Sequence, residues 1–164
     1  MIEIIPYSKI HFPGVIDVIL PIQQEEFGIQ IELQDQPDLL DIPNYYQKGR
    51  GNFWVALCNA DVVGTISLLD IGHAQGALRK MFVKKEFRGS QHKIAENLLK
   101  DLLTWCQFKN VKEIFLGTTS KFLAAHRFYE KNGFLEIQKS ELPNSFPVMV
   151  VDTKFYKRNV AIGT

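Results

Sequence analysis

The chain is expected to fold as an α/β domain, built on a mixed and mostly antiparallel sheet of six to seven strands with about four helices on both faces. Three observations predict this. Short apolar runs bounded by turn residues alternate with segments whose apolar residues recur at helical spacing. The 164 residues are close to the ~150 of one domain, with no internal repeat, linker or low-complexity run. A content of 46% hydrophobic and 23% charged residues is that of a globular chain with a sizeable core.

Ile2 to Ile5 form an opening strand. A helix follows from Pro13, suited to a first helical turn, to about Phe27, and Gly28 ends it. Pro21 cannot bond to the carbonyl of Asp17, so a kink is expected inside it. A shorter helix runs from about Pro37 to Gln47. Gly51 to Cys58 and Val62 to Asp70 are strands joined by the hairpin turn Asn59-Ala60-Asp61, and Ile71 to Gly76 turn the chain into a strand from Ala77 to Val83. In the next segment Ile94, Leu98, Leu102 and Cys106 recur every four residues, flanked by Ala95, Leu99 and Leu103, so one helix face is buried. Glu113 to Gly117 is a short buried strand. Ser120 can cap the helix after it, and Gly133 after Asn132 stops that helix. A strand to about Gln138, a loop with Pro143 and Pro147, and a strand from Val148 to Phe155 complete the sheet.

The chemistry concentrates between Met81 and Phe134. Between the strand ending at Val83 and the helix beginning at Ile94 lies Phe87-Arg88-Gly89-Ser90-Gln91-His92-Lys93. A helix start presents unpaired N–H groups and the positive end of its dipole, which attract phosphate, and Arg88 and Lys93 add charge. On local sequence alone, such a stretch is also what an ordinary polar connection looks like. On the helix before Gly133, Phe122, Ala125, His126 and Tyr129 fall at i, i+3, i+4 and i+7 and share a face. Taken singly, Tyr129 reads first as a core aromatic whose hydroxyl finds a backbone partner.

Taken together, Val83, Arg88-Gly89, Leu98-Leu99, the following strand, Ala125, Phe128-Tyr129 and Gly133-Phe134 resemble the acetyl-CoA-binding core of the GNAT superfamily of N-acyltransferases. The resemblance implies a division of the single domain 1–164 into an acceptor-side half (about 1–76), an acetyl-CoA-binding core (about 77–134) and C-terminal strands (135–164). It implies that backbone groups of Met81, Phe82 and Val83 pair with the pantetheine arm. Arg88, Gly89, Ser90, Gln91, His92, Lys93, Ile94 and Ala95 would hold the pyrophosphate, with Phe122, Ala125 and His126 lining the site. Tyr129 would protonate the departing thiolate, in a gap where the sheet splays. The family pattern is Gln or Arg, two residues, Gly, one residue, then Gly or Ala. Here the loop is two residues longer and lacks the second Gly, which leaves His92 or Lys93 as alternative ligand contacts. Phe122 stands where the family often has Asn.

Charge is uneven although the net is only +1. Residues 1–78 hold three Lys or Arg against ten Asp or Glu, and residues 79–131 hold twelve against five. A basic half suits a phosphate-rich donor, and its charges are not grouped with exposed aromatics as nucleic-acid binding would need. From Ile10 through Gln47 there is no Lys or Arg, so a cationic amine, small molecule or peptide, is the expected acceptor. Glu25 and Glu26, which border the acceptor site by the family resemblance, and Asp70 and His73 are candidates on that side. Glu26, Asp70, His73 and His126 are also candidates for the general base. Cys58 and Cys106 have no metal-ligand spacing and read as core residues; no metal is expected. No apolar run approaches a membrane span and Met1 to Pro6 lack the features of a signal peptide, so a cytoplasmic location is expected, with no membrane partner. Exposed strand edges leave pairing with a second copy open. The function the resemblance implies, and these features accommodate, is acetyl transfer from acetyl-CoA to a primary amine. The alternative is a catalytically silent module that senses CoA or binds a partner, to which the altered loop and Phe122 lend weight.

Overall fold

Two tight hairpins set the first half of the sheet. The structure, a computed structural model, describes residues 1–89 and 91–161. Asn59 and Ala60, with φ of 50° and 74°, join β2 (Asn52–Cys58) to β3 (Asp61–Gly72), and His73 and Ala74, with φ of 54° and 59°, join β3 to β4 (Gln75–Val83). Two successive left-handed residues give the turn whose twist matches that of the strands it connects. With β1 (Ile2–Pro6), β5 (Glu113–Thr118), β6 (Leu135–Ile137) and β7 (Lys154–Asn159), they form a seven-stranded sheet in the order β1-β2-β3-β4-β5-β7-β6. Every pairing is antiparallel except β4 with β5.

The sheet carries helices on both faces. Against one lie α1 (Phe12–Pro21) and the single-turn helices α2 (Pro37–Leu40) and α3 (Ile42–Tyr45), around a core that includes Val15, Ile19, Leu39, Ile42, Phe53 and Val55. Against the other lie α4 (Ile94–Lys109) and α5 (Leu123–Lys131), around Leu98, Leu102, Cys106, Ile66, Leu116 and Phe134. Gly64 on β3 lets α4 come close, since a Cβ there would meet Ile94 Cγ2 at 3.1 Å and Leu98 Cδ1 at 3.2 Å.

Four expectations change in detail. The kink foreseen at Pro21 takes the form of a π-helical segment, Ile22–Glu26, in which the Phe27 N–H donates to the Ile22 carbonyl at 3.0 Å; wider turns relieve the ladder that proline interrupts. The helix from Pro37 to Gln47 is broken in two at Asp41, whose φ of −148° is extended and whose carboxylate accepts from the Asn44 N–H at the start of α3. Ser120 does not cap α5: its N–H donates to Thr153 Oγ1, and the helix begins at Leu123 with Phe122 before it. The last strand is Lys154–Asn159, not Val148–Phe155; Val148 to Val151 form an exposed stretch in the loop ahead of it. Gly28 and Gly133, with φ of 64° and 88°, follow their helices as expected.

Candidate active site

The site originates in the one parallel contact. β4 and β5 pair only over Gln75–Ala77 and Glu113–Phe115, after which the strands part and leave Leu78 to Val83 without a neighbour on that side. A cavity of about 670 Å³ opens along this gap on the α4–α5 face. Met81, Phe82 and Val83 form one wall, Arg88, Gly89, Lys93, Ile94 and Ala95 a second, and Phe122, Ala125, Phe128 and Tyr129 a third. That volume is in the range of small-molecule and cofactor sites, about 300–1,000 Å³.

Tyr129 is buried in the third wall. Its ring packs edge-on to Phe134, and among the described residues its hydroxyl has one hydrogen-bond partner, Met81 Sδ at 3.9 Å. Burial pushes the phenol well above its ordinary pKa, so it stays protonated across the neutral range. Cations surround the mouth: Arg88, Lys93, Lys121 and Lys131 all line it. The N–H groups of Ile94, Ala95 and Glu96 begin α4 and have no partner within the helix. Lys93 ahead of them takes φ of 52°, a left-handed conformation that costs a non-glycine residue about 1 kcal/mol. Cationic rim, helix start and apolar interior together suit a long ligand with phosphates at one end and an uncharged reactive end.

Arg88 is already engaged. Its guanidinium forms a two-pronged ion pair with Glu26, at 2.7 and 2.8 Å, and its Nε donates to the Val83 carbonyl at 2.8 Å. The Arg88 hydrogen bonds hold the Glu26 carboxyl below the usual glutamate range against the opposing push of desolvation. Phe27, beside Glu26, stacks on Phe122 with ring centroids 3.8 Å apart. The π-helical segment after Pro21 thereby contacts both the loop before α4 and the residue before α5.

A second polar cluster occupies the opposite face of β4. At Lys80, with φ of 54°, the β3 register skips: Phe82 faces Thr65 but Arg79 faces Ser67. This bulge turns both Arg79 and Lys80 toward α2 and α3. Lys80 Nζ donates to Gln36 Oε1 at 2.6 Å and lies 3.5 Å from Asp38, which also accepts from the Tyr46 hydroxyl at 2.6 Å. Gln23 and Gln36 exchange amide hydrogen bonds behind them. Arg79 donates to the Tyr45 hydroxyl at 3.2 Å and to Met149 Sδ at 3.6 Å.

Residues 16–134 match the acetyltransferase (GNAT) family. The chain belongs to that family. Among curated relatives of this GNAT chain is the N-acetylaspartate synthetase of Danio rerio, 35% identical over 106 residues, which cover 63% of this chain and 37% of that protein. The chain thus spans about a third of the length of the curated relatives it matches first. A GNAT-family acetyltransferase from Staphylococcus aureus Mu50 is 42% identical with a TM-score of 0.93, covering 98% of this chain and all of that one. The PaiA N-acetyltransferase from Thermoplasma acidophilum, solved with coenzyme A, shares the fold, with 19% identity and a TM-score of 0.72 over 97% of this chain and 99% of that one.

Not every residue singled out in the sequence reaches the GNAT cavity. Gln91 and His92 do not line it, and the His92 ring packs near Phe87 at 5.5 Å; Ser90 lies outside the described residues. His126 shares a helix with Tyr129 but is buried away from the cavity, its Nε2 2.9 Å from the Thr119 carbonyl. Asp70 and His73 lie at the far end of the sheet, because β4 runs from their hairpin at Gln75 toward the site at Val83. There Asp70 accepts from the N–H groups of Arg50 and Gly72, a turn-holding role. Glu25 is exposed and does not line the cavity. The acidic run ahead of residue 47 is largely committed: Glu26 to Arg88, Asp38 to Lys80 and Tyr46, Asp35 and Asp41 to backbone N–H groups. Phe27, Phe87, Lys121, Phe128 and Lys131 line the cavity and were not singled out as ligand contacts; the basic balance of residues 79–131 was the trace of Lys121 and Lys131 in the sequence, and Phe128 stood only among the residues of the resemblance. Among the described residues, no group of three or more His, Cys, Asp or Glu is placed to hold a metal, and no helix is long and apolar enough to cross a membrane.

Proposed function

We propose that the protein transfers an acetyl group from acetyl-CoA directly to a primary amine of a small molecule or peptide, with Tyr129 as general acid. The observation that carries this reading is the buried Tyr129 hydroxyl, held in an apolar gap with only a thioether beside it. Its raised pKa keeps a proton ready where a thiolate would form. Arg88, Lys93, Lys121, Lys131 and the N–H groups opening α4 would bind the donor's phosphates, and the unpaired edge of Leu78 to Val83 would bind its pantetheine amides. The amine nitrogen forms a bond to the thioester carbonyl carbon while the carbon–sulfur bond breaks. Tyr129 gives its proton to the sulfur and is reprotonated from solvent, and the nitrogen releases its surplus protons to solvent. Neither Glu26, paired with Arg88, nor His126, turned to Thr119, is free to act as the base.

A cationic acceptor draws little support from the acidic run, since most of its carboxylates are spent inside the molecule. The name of the curated relatives, N-acetylaspartate synthetase, supports an amino acid as the amine to try first. A silent CoA-binding module is the second reading, favoured by the engagement of Arg88 and by the Phe27–Phe122 stack.

Thermal unfolding with acetyl-CoA, desulfo-CoA and ATP tests the donor site, since a ligand bound only by the native state raises the midpoint by mass action. A shift specific to the CoA compounds is expected. Release of free thiol over an amine panel then tests transfer, and Tyr129→Phe should lower kcat by about 10²–10⁴-fold with the CoA-induced shift intact. Full turnover by that variant with an unchanged pH profile removes Tyr129 from the mechanism. Binding of CoA without thiol release from any amine selects the silent module.

A further inference from the structure

We propose that Arg79 is the acceptor-side anchor for a carboxylate, so that the amine this protein acetylates carries a carboxylate a few ångströms from its nitrogen. The proposal rests on the transferase reading above and names the substrate class for that same site.

The bulge at Lys80 brings two cations to one face of β4, and among the described residues only one of them has a carboxylate within ion-pair distance. Lys80 is spent on Asp38 and Gln36. Arg79 has no carboxylate oxygen within 4.0 Å among the described residues; its two contacts are a phenol and a thioether. A thioether is a weak acceptor, whereas the guanidinium fork matches two carboxylate oxygens at once. The nearby acids are otherwise employed, Asp38 by Lys80 and Tyr46, and Asp152 by the Met149 N–H at 2.9 Å.

Position gives the cluster its meaning. Arg79 stands two residues before Met81, the contact of Tyr129; two residues of extended strand span at most about 6–7 Å, and the bulge at Lys80 between them shortens that. Most of the cavity lining and the Arg79 side chain lie on opposite faces of β4, and among the described residues the β4–β5 ladder has ended by this point, so no inter-strand hydrogen bonds of that pair separate the two faces here. An amine entering the gap from the α3 side would place its nitrogen near Met81 and a carboxylate bonded one to three carbons away near Arg79. Met149, in the loop between β6 and β7 and substantially exposed, can leave the guanidinium without unpacking the core. A single unpaired cation hemmed by Asp38 and Asp152 suits a monoanion and disfavours a phosphate dianion.

The test compares each of several amino acids, including glycine, L-alanine, L-aspartate, β-alanine and 4-aminobutyrate, with its carboxamide. Thiol release from acetyl-CoA gives kcat/KM, and calorimetric titration with and without desulfo-CoA gives binding independent of turnover. At least one acid should exceed its amide tenfold or more. In Arg79→Met that ratio should fall toward one with the KM for acetyl-CoA unchanged, and Arg79→Lys, which keeps charge but loses the fork, should fall between. Met149→Ala, a change in an exposed loop, should keep or raise the preference and guards against a fold defect in the arginine variants. Amides equal to acids in the intact protein, or an acid preference that survives Arg79→Met, overturns the proposal. Carboxylate binding that depends on Arg79 without thiol release from any amine upholds the anchor and sinks the transferase reading instead.

Discussion

Glu26 and Arg88 stand 62 residues apart and meet in a two-pronged ion pair at the mouth of the cavity. An exposed pair of this kind contributes about 0.2–1 kcal/mol, and here it competes for the same guanidinium a phosphate would use. Glu26→Gln should therefore tighten acetyl-CoA binding at pH 7 by about 1.5–5-fold, the factor that energy corresponds to. The sign with pH follows from the depressed carboxyl. A group whose folded pKa is lowered contributes its ion pair above the unfolded value and loses it as pH falls through the folded one. The gain over the unaltered protein should thus be full at neutral pH and shrink only well into the acid range, below the ordinary glutamate value of about 4.3. Isothermal titration across that range checks both points. Weaker binding by the variant would make Glu26 a support that positions Arg88 for phosphate.

At the level of elements, the loop before α4 stores strain where the donor's phosphates are proposed to sit. Lys93→Gly should relieve the left-handed φ of 52°, stabilising the fold by up to about 1 kcal/mol, while weakening CoA binding and flattening its dependence on salt. Denaturant unfolding and a salt series separate the two effects, and a variant that is less stable would show the conformation to be held by something other than backbone tolerance. Elements whose apolar residues recur locally were legible in the sequence: α4 from the spacing of Ile94, Leu98, Leu102 and Cys106, and the β2–β3 hairpin from its turn at Asn59 and Ala60; the β3–β4 connection, expected over Ile71 to Gly76, is tighter, with only His73 and Ala74 between the strands. Val148 to Val151 misled because a β-branched run reads as strand, yet Val150 is fully exposed and β7 starts at Lys154. Asp41 broke a helix that composition alone would continue. Met81 to Val83 and, within the run singled out from Arg88 to Ala95, Arg88, Gly89, Lys93, Ile94 and Ala95 line the cavity, whereas Gln91 and His92 do not: a contiguous stretch is visible in the sequence, but which of its side chains face inward is not. Phe27 over Phe122 and Glu26 on Arg88 were not legible, since each depends on a contact across the fold, nor was the turn of His126 away from the cavity to the Thr119 carbonyl.

Across the whole molecule, α4 links the cavity to the core. Its first residues line the site, while Cys106, near its other end, is fully buried in the cluster that also contains Tyr129, Phe134 and Ile66. Burial pushes the Cys106 thiol up to about 12, so it is inert to thiol reagents at neutral pH until the structure opens. Cys58 is only partly buried and serves as an internal comparison, or is removed by Cys58→Ala to isolate one signal. If the two helix layers and the sheet unfold as one unit, labelling of Cys106 reports global opening. A ligand at the far end of α4 should then slow it by the full mass-action factor, about 100-fold at a ligand concentration one hundred times Kd. Mass spectrometry of a Cys58→Ala chain, labelled under native conditions with and without saturating acetyl-CoA, measures this factor directly. Equal rates in the two conditions would mean that the C-terminal half of α4 opens on its own, and that the cavity is held by β4, α5 and the first turns of α4 alone.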